Sequence, residues 1–584
     1  MKDWSNFNLR CKDISTDDKL VAKGMIYYNL SRETQNMNLF PLRFTKAIAS
    51  LKKDNKIKIC NGDKSKVLVL LNKQDYMDKM EVHLNDENTY ERINHDPTLE
   101  YNAYYHAELR RIFPGEANKQ IVKKFSTRGA RLPYMYGVVK THKDGFPTRP
   151  IVSMVTAASH ILASFLTKEL SPIVGTISPS HLKNVEQFYD EIGKLVINPD
   201  MRMTSFDVTS MYTNVPIDWV CDYLADYLQH FPTTYDVSTT IKLIRLCTVG
   251  TYFTFEGSYY KQIFGLQMGA KLSPIIANIC LEIYETTLAP DIIQESYLWL
   301  RYMDDVYSLW PRRCDLIQIL RRLNSLHTSL KFTLELEDEH TLPFLDLATI
   351  REEDRILFKI YRKPSNNNLI INYYSNHHKK HKHSALSSMY LRALKYVSPQ
   401  FCDEEFNIIK NIGTLNNFPI EFIDLAFEKA KKSFYNVLPL VKFDVMNTLC
   451  LAYNLDISML RKPLLMLGIK LIYKYNHKMC DILVKNSPSC KEASVYAINC
   501  ACSEFYIGQT NILVTERVAQ HQQCVRANDS SNALNVHYGT CNQDINWNQP
   551  ITLINLNDYF SRNMLEAAII KLTWQNNVNI TLGT

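Results

Sequence analysis

Two adjacent carboxylates lie inside an apolar, aromatic run, Tyr297-Leu-Trp-Leu-Arg-Tyr-Met-Asp-Asp-Val-Tyr-Ser-Leu-Trp310. Burying Asp304 and Asp305 side by side in such surroundings is unfavourable unless a cation compensates them. The β-branched and aromatic residues on either side predict a hairpin whose arms, 297–302 and 306–310, carry the acids at the connecting turn. A hard divalent cation with oxygen ligands, chiefly Mg²⁺, is the expected counter-charge. Acidic turns also occur without metal, so partners elsewhere in the chain must decide.

Three segments supply partners. The first, Ser205-Phe-Asp-Val-Thr-Ser-Met-Tyr-Thr-Asn-Val-Pro216, reads as a strand carrying a third carboxylate, Asp207, and breaking at a turn. Acids on separate strands can hold two ions about 3.5–4 Å apart, one activating an attacking 3′-hydroxyl and one steadying leaving pyrophosphate. Tyr212 follows Asp207 at a distance suited to the sugar side of a nucleotide. The second segment, Phe264-Gly-Leu-Gln-Met-Gly-Ala-Lys-Leu-Ser-Pro274, lets backbone approach a ligand closely at its glycines and leads into an apolar helix from Ile275 to Tyr284. The third, Tyr136 to Ser153, reads as two strands flanking a turn, with Lys140, Lys143 and Arg149 able to face a triphosphate.

In chain order these pieces resemble the fingers and palm of a reverse transcriptase. Thr141-His-Lys143, Arg149-Pro-Ile-Val-Ser153, Phe206 to Pro216, Leu342-Pro-Phe-Leu-Asp-Leu347 and Tyr361-Arg-Lys-Pro364 together resemble a Penelope-like element reverse transcriptase. The resemblance implies that Asp207 and Asp304 bind two Mg²⁺, with Asp305 completing the cluster and the Val208 carbonyl as a further ligand. It implies that Tyr212 excludes the ribonucleotide 2′-hydroxyl, that Gln267 lines the incoming dNTP, and that Arg149 and Lys143 grip its phosphates. Lys331 is a candidate proton donor to pyrophosphate, with a surface role after a strand as its alternative.

A chain of 584 residues with 46% apolar residues has material for about three to four domains. Its net charge of +7 is concentrated locally, as in His377-His-Lys-Lys-His-Lys-His383 just after Tyr373-Tyr374, a mixture suited to phosphates and stacked bases. No signal peptide is read at the start and no apolar stretch reaches about 18 residues, so no membrane span is expected. Without secretory context the fourteen cysteines are expected as thiols or metal ligands.

Six of those cysteines follow residue 475, marking a separate module. Ser494 to Thr510 reads as two short strands joined by a turn bearing Cys500 and Cys502. A helix follows with Arg517 and His521 on one face, and a later helical segment, Met564 to Lys571, carries Glu566. The arrangement resembles a GIY-YIG endonuclease, the domain that endonuclease-bearing Penelope-like elements carry behind the polymerase. The resemblance implies Tyr496 and Tyr506 near the scissile phosphate, one as general base or water-orienting group, Arg517 stabilising phosphorane charge, and Glu566 holding one Mg²⁺, with Asn577 as a candidate support. Ser494 stands where the family usually has glycine, and 577–583 lacks the acids expected there. Cys500, Cys502, His521 and His537 offer a tetrahedral Zn²⁺ donor set, and the resemblance includes such a Cys₂His₂ cluster, structural in role; Cys524 and Cys541 are competing ligands.

Apolar spacing at Leu391, Leu394 and Val397, and at Ile420, Ile423 and Phe427, predicts helices across 384–478. Residues 1–125 lean helical, with a strand at Val67-Leu-Val-Leu-Leu71, and Asp63-Lys-Ser-Lys66 again resembles the family ahead of its fingers.

The expected fold is multidomain α+β. An N-terminal helical extension (1–125) precedes right-hand polymerase fingers and palm (126–383), a helical thumb and linker (384–478), and a small α/β GIY-YIG nuclease with an embedded zinc site (485–584). The expected function is RNA-directed DNA synthesis coupled to DNA nicking, with element RNA as template, a target DNA 3′ end as primer and dNTPs as substrates, in the nucleus after synthesis in the cytoplasm. A domesticated nucleic-acid-binding protein and an RNA-templated RNA polymerase or maturase-like factor are the alternatives. The sequence leaves the oligomeric state open.

Overall fold

The computed structural model describes residues 50–51, 53–64, 67–127, 129–141, 143–364, 366–375, 377–435, 447–452, 469–474, 494–527, 532–541, 543–555, 566, 569–570 and 578–579. Asn577, Cys480, Cys490 and most of the segment around Glu566 lie outside them.

A hairpin, β1 (Ile57–Asn61) with β2 (Leu68–Asn72), opens the described chain. Five strands then form one sheet in the order β3-β8-β7-β4-β5: β3 (Tyr90–Ile93), β4 (Tyr134–Val139), β5 (Thr148–Ser153), β7 (Thr251–Phe255) and β8 (Ser258–Gln262). The strand expected at 67–71 appears one residue later.

The boundary expected at 125 does not separate two cores. β3 pairs with β8, and Tyr76, Met80 and Leu84 of the helix Lys73–Leu84 pack with Met135, Val152 and Phe253. Tyr105 and Leu109 of the helix Thr98–Ile112 enter the largest core.

The second sheet runs β11-β6-β10-β9, all antiparallel: β6 (Met201–Val208), β9 (Leu298–Tyr302), β10 (Asp305–Pro311) and β11 (Phe332–Leu336). The central strand β10 explains the second half of the apolar run. Val306 and Trp310 face helices that include Ile217–Tyr227, Ser273–Ile283 and Leu316–Leu326. Tyr307 and Leu309 face the opposite side, against Phe188 and the sheet β12 (Thr341–Phe344), β13 (Leu347–Glu352) and β14 (Arg355–Ile360). A strand covered on both faces carries no polar alternation.

Beyond β14 come three helices, Lys379–Tyr396, Cys402–Leu415 and Ile420–Tyr435, with Leu386, Tyr390, Ile409, Ile423 and Ala426 at their shared core. Pro419 directly precedes the third, where its missing N–H costs nothing. The helical expectation then fails: β15 (Asn447–Ala452) and β16 (Ile469–Lys474) form a parallel pair. Periodicity cannot separate apolar runs this short into strand and buried helix. Last comes the sheet β18-β17-β19, from β17 (Ser494–Asn499), β18 (Phe505–Thr510) and β19 (Ile551–Asn555), with the helices Val514–Arg526 and Ala533–Thr540. Among the described residues no helix is long and apolar enough to cross a membrane.

Candidate active sites

The β6–β10 register sets Asp305 directly opposite Asp207, and the hairpin closes with Asp305 opposite Tyr302, leaving Met303 and Asp304 as a two-residue turn. The Asp304 carbonyl accepts from Val208 N at 3.3 Å, drawing the turn over the end of β6. Like charges facing each other across a ladder repel. Partial desolvation and the Asp304 charge push Asp207 up from the ordinary carboxylate range, and burial with Asp304 and Asp207 pushes Asp305 up to about 6. Three carboxylates gathered in one cleft, two of them raised by burial and by their neighbours, are a donor set for hard divalent cations.

The turn is strained and held from beneath. Met303 has φ +55°, a conformation favouring glycine. Its carbonyl accepts from Arg301 Nη1 at 2.9 Å. Arg301 is 1% exposed; its Nη1 also donates to Asn278 (3.2 Å) and its Nε to Glu285 (2.9 Å). Glu285 further accepts from Trp299 and Ser180. Glu282, fully buried, accepts from the amides of Gly175, Ile177 and Ser178, and burial raises its pKa. This network has no signature in the sequence pattern, because one arginine in an apolar strand announces no partner.

Around the acids stands a rim of cations. Arg149 sits on β5 opposite Val138, and Arg149 Nη2 lies 3.3 Å from Asp63 Oδ2. The charges of Lys64, Lys143 and Lys363 all act on Asp207. Lys64 and Lys363 were assigned no role from sequence; each lies within a quoted family motif yet far along the chain from the acids. Tyr212 is half-buried and feels both Asp304 and Arg149. Its carbonyl accepts from Leu266 N at 2.7 Å, and Met268 O accepts from Val152 N at 2.7 Å, so the glycine turn ties the Asp207 loop to β5.

Two expectations change. Gln267 is 1% exposed and commits its amide to Thr251 Oγ1 and the Thr248 carbonyl, so its side chain braces the turn from behind and does not line the cleft. Lys331 donates to the carbonyls of Asn324 and His327 at 2.6 and 2.9 Å, capping the end of a helix, which favours its surface role over proton donation to pyrophosphate.

Residues 141–339 match the family model described as reverse transcriptase (RNA-dependent DNA polymerase). The chain carries a reverse transcriptase domain. All three acids, Tyr212 and Gln267 fall within it. Residues 369–428 match an animal helix-turn-helix domain, over the first helices beyond β14. No curated protein matches the chain. Solved structures similar to it include a telomerase from Candida albicans bound to a TWJ fragment of telomeric RNA, at 11% identity over 68% of this chain and 70% of that one, TM-score 0.45. They also include an RNA-dependent RNA polymerase of a human picorbirnavirus, at 11% identity over 73% and 90%, TM-score 0.36.

Behind the reverse transcriptase domain, β17 and β18 bring a second group together. Tyr496 lies opposite Gly508, where an added Cβ would sit 2.7 Å from the Tyr496 hydroxyl. That hydroxyl is 2.8 Å from His521 Nε2, and His521 Nδ1 accepts from Asn532 at 3.1 Å, leaving Nε2 to donate to the tyrosine oxygen. Arg517 and Glu566 act electrostatically on both Tyr496 and Tyr506. Burial raises Tyr496 far above its ordinary value and Tyr506 to about 12, so both rest as phenols. Burial also raises Glu566, against hydrogen bonds from Gln509 and the Arg517 charge. Ser494 is fully buried between Thr510 and Asn555, so the departure from glycine leaves the strand intact.

The metal-ligand expectation is corrected at one position. Sγ of Cys500, Cys502 and Cys541 and a ring nitrogen of His537 all lie within 4.8 Å of one another. Cys502 Sγ is 3.5 Å from His537 Nε2, and Cys500 Sγ is 3.9 Å from Cys541 Sγ. Tetrahedral zinc with bonds of about 2.0–2.3 Å spaces its ligands by about 3.5–3.8 Å, so the set fits. Glu504 reaches His537 Nδ1 at 3.4 Å and orients the ring. His521 is not a ligand, because both its ring nitrogens are occupied by Tyr496 and Asn532; burial and Arg517 hold its pKa down at about 4. Cysteine spacing could not choose between His521 and Cys541. Cys524, on the helix with His521, stands outside the cluster.

Proposed function

We propose that this chain is the reverse transcriptase of a Penelope-like retroelement and that residues 485–584 form a GIY-YIG endonuclease that nicks DNA to supply the primer. The observation that carries the polymerase reading is the register that sets Asp305 beside Asp207 with Asp304 in the adjoining turn. Two Mg²⁺ bound there would activate the primer 3′-hydroxyl and neutralise the departing pyrophosphate. The chain's own part is to hold the acids on a braced turn, to offer Arg149 and Lys143 to the phosphates, and to close the sugar side with Tyr212, which favours dNTPs over ribonucleotides. Residues 126–383 are then fingers and palm, and 384–478 a thumb and linker whose basic start at His377–His383 suits the template-primer backbone.

The nicking reading is supported by Tyr496, Tyr506, Arg517, His521 and Glu566 gathering around one short sheet. Both tyrosines being held as phenols favours orienting a water over a resting phenolate base. Glu566 would hold one Mg²⁺ and Arg517 would meet the charge that develops on phosphorus. Zinc on Cys500, Cys502, His537 and Cys541 would tie the β17–β18 turn to the helix Ala533–Thr540. The work is on chromosomal DNA, in the nucleus.

Primer extension on an RNA template tests the first half: Asp304→Ala should abolish Mg²⁺-dependent dNTP incorporation, and persistence of cDNA would refute it. Glu566→Ala should stop nicking of supercoiled DNA while extension from a pre-nicked primer continues.

A further inference from the structure

The β1–β2 hairpin lies outside the matched reverse transcriptase domain, yet it is fastened to the wall of its cleft. Gly62 bridges to Val139 at the end of β4, and Asp63 N donates to the Val139 carbonyl at 2.6 Å. At the base of the hairpin Lys58 forms an ion pair with Glu256 at 2.7 Å, on the turn between β7 and β8. Gly62 and Asp63 are therefore fastened to the five-stranded sheet.

Asp63 is unusual in its surroundings. Its side chain is only 8% exposed, its Oδ2 has no hydrogen-bond partner, and the nearest cation is Arg149 Nη2 at 3.3 Å. A buried carboxylate needs a partner to be tolerated, and the one supplied here is the guanidinium expected to grip phosphate. Asp63 thus fixes the direction of the Arg149 fork and leaves its remaining donors free to point elsewhere. The next residue, Lys64, has φ +55°, and its ammonium charge reaches Asp207, Asp305 and Lys140. Lys64, Lys140, Lys143 and Arg149 crowd one another from two separate hairpins, and Lys140 is held below its ordinary value by burial and by these neighbours. Cations assembled at such mutual cost are explained by a polyanion that sits between them.

We propose that Lys64 is a triphosphate-binding residue of the polymerase site and that Asp63 is the positioning residue for Arg149, so that the N-terminal hairpin completes the nucleotide pocket. The assignment rests on the polymerase reading above. The ligand class is a nucleoside triphosphate, whichever its base, because the groups the argument uses, Lys64 and Arg149, are cations suited to phosphate.

The test uses the full chain. Equilibrium binding of dTTP, with Ca²⁺ in place of Mg²⁺ to prevent turnover, is measured beside steady-state primer extension. Lys64→Ala should weaken dTTP binding about tenfold and raise KM for all four dNTPs alike, the loss falling on KM more than on kcat. Asp63→Asn should weaken binding in the native background and add nothing once Arg149→Ala is present, which a purely structural aspartate would not do. Lys58→Ala, which loosens the base of the hairpin and keeps its tip, separates folding from contact: its effect should be small. Unchanged dTTP binding in Lys64→Ala, or additive losses for Asp63→Asn and Arg149→Ala, would overturn the proposal. If the native chain binds dTTP through Lys64 but incorporates none, the polymerase reading falls and the triphosphate site stands.

Discussion

Arg301→Met removes a charge and its donors from beneath the acidic turn while keeping side-chain length, so the dominant effect is electrostatic. In the native chain Arg301 satisfies Glu285 at 2.9 Å, lies 3.8 Å from Glu282, and holds the Met303 carbonyl at 2.9 Å. Breaking a buried pair by removing one partner costs about 3–5 kcal/mol. Here Glu282 keeps three backbone amides and Glu285 keeps Trp299 and Ser180, which places the cost near the low end, about 3 kcal/mol. The sign of its pH dependence follows. Burial already raises Glu282 with Arg301 present. Without the arginine, whose charge lowers it, Glu282 protonates more readily, so the penalty is largest near pH 8 and shrinks toward pH 5. Urea unfolding of the full chain at both pH values measures this. Incorporation should fall further than the folded fraction does, because the strained Met303 turn loses its anchor and a misplacement of about 1 Å costs on the order of a hundredfold in rate. A variant as stable as the native chain at pH 8, or one whose loss is the same at pH 5, would refute the reasoning.

Three further outcomes follow. With Asp305 pushed up to about 6 in the metal-free protein, Mg²⁺ binding must displace that proton. The Mg²⁺ needed for half-maximal incorporation should therefore fall as pH rises from about 5.5 to 7 and then level off; the same proton makes the metal-free fold lose stability as pH rises from the ordinary aspartate value through about 6. A magnesium titration insensitive to pH would contradict the first statement. Cys541→Ser should release zinc, read by metal analysis, whereas His521→Asn should keep it and lose nicking; the reverse pattern would restore His521 as the ligand. Gly265→Ala sets a Cβ 2.3 Å from the Thr213 carbonyl at φ +72°, while Gly145→Ala at φ +70° meets nothing within 4 Å. The second should cost about 1 kcal/mol and the first clearly more, with loss of incorporation; equal unfolding midpoints for the two would show that the glycine turn is not packed on the Tyr212 loop.

Legibility in the sequence followed the reach of each signal. The acidic hairpin could be read because β10 is covered on both faces, which leaves an unbroken apolar run with two charges standing out. The strand bearing Asp207, the glycine turn and the β4–β5 hairpin were legible from local turn chemistry. Arg301 was not, since its partners Glu285, Asn278 and Ser180 come from other elements and carry no shared spacing. Lys64 and Lys363 meet the acids only through tertiary closure. Gln267 was misread because a side chain beside a glycine turn can face either way, and here Thr248 and Thr251 claim it. The choice of Cys541 over His521 needed the packing of the helix Val514–Arg526 on β17, which brings His521 to Tyr496 and commits that imidazole elsewhere. The strands at 447–452 and 469–474 were lost to helix because each is too short for a period to declare itself.

The charges of the cleft also bear on the substrate proposed for it. Its protein groups alone leave two unfavourable sets: carboxylates among which burial and neighbouring acids raise Asp207 and Asp305, and a rim of lysines and arginine that, with burial, lowers Lys140. Simple neutralisation between the sets would be the cheaper arrangement, and Asp63 with Arg149 shows that the fold can make such a pair. Among the described residues the three acids form no such ion pair, though the charges of Lys64, Lys143 and Lys363 act on Asp207. Under the proposed polymerase reading, a metal-chelated nucleoside triphosphate would present divalent cation toward the acids and phosphate toward the rim and so relieve both sets at once. The arrangement is preorganised for it, since neither set must move to meet its counterpart.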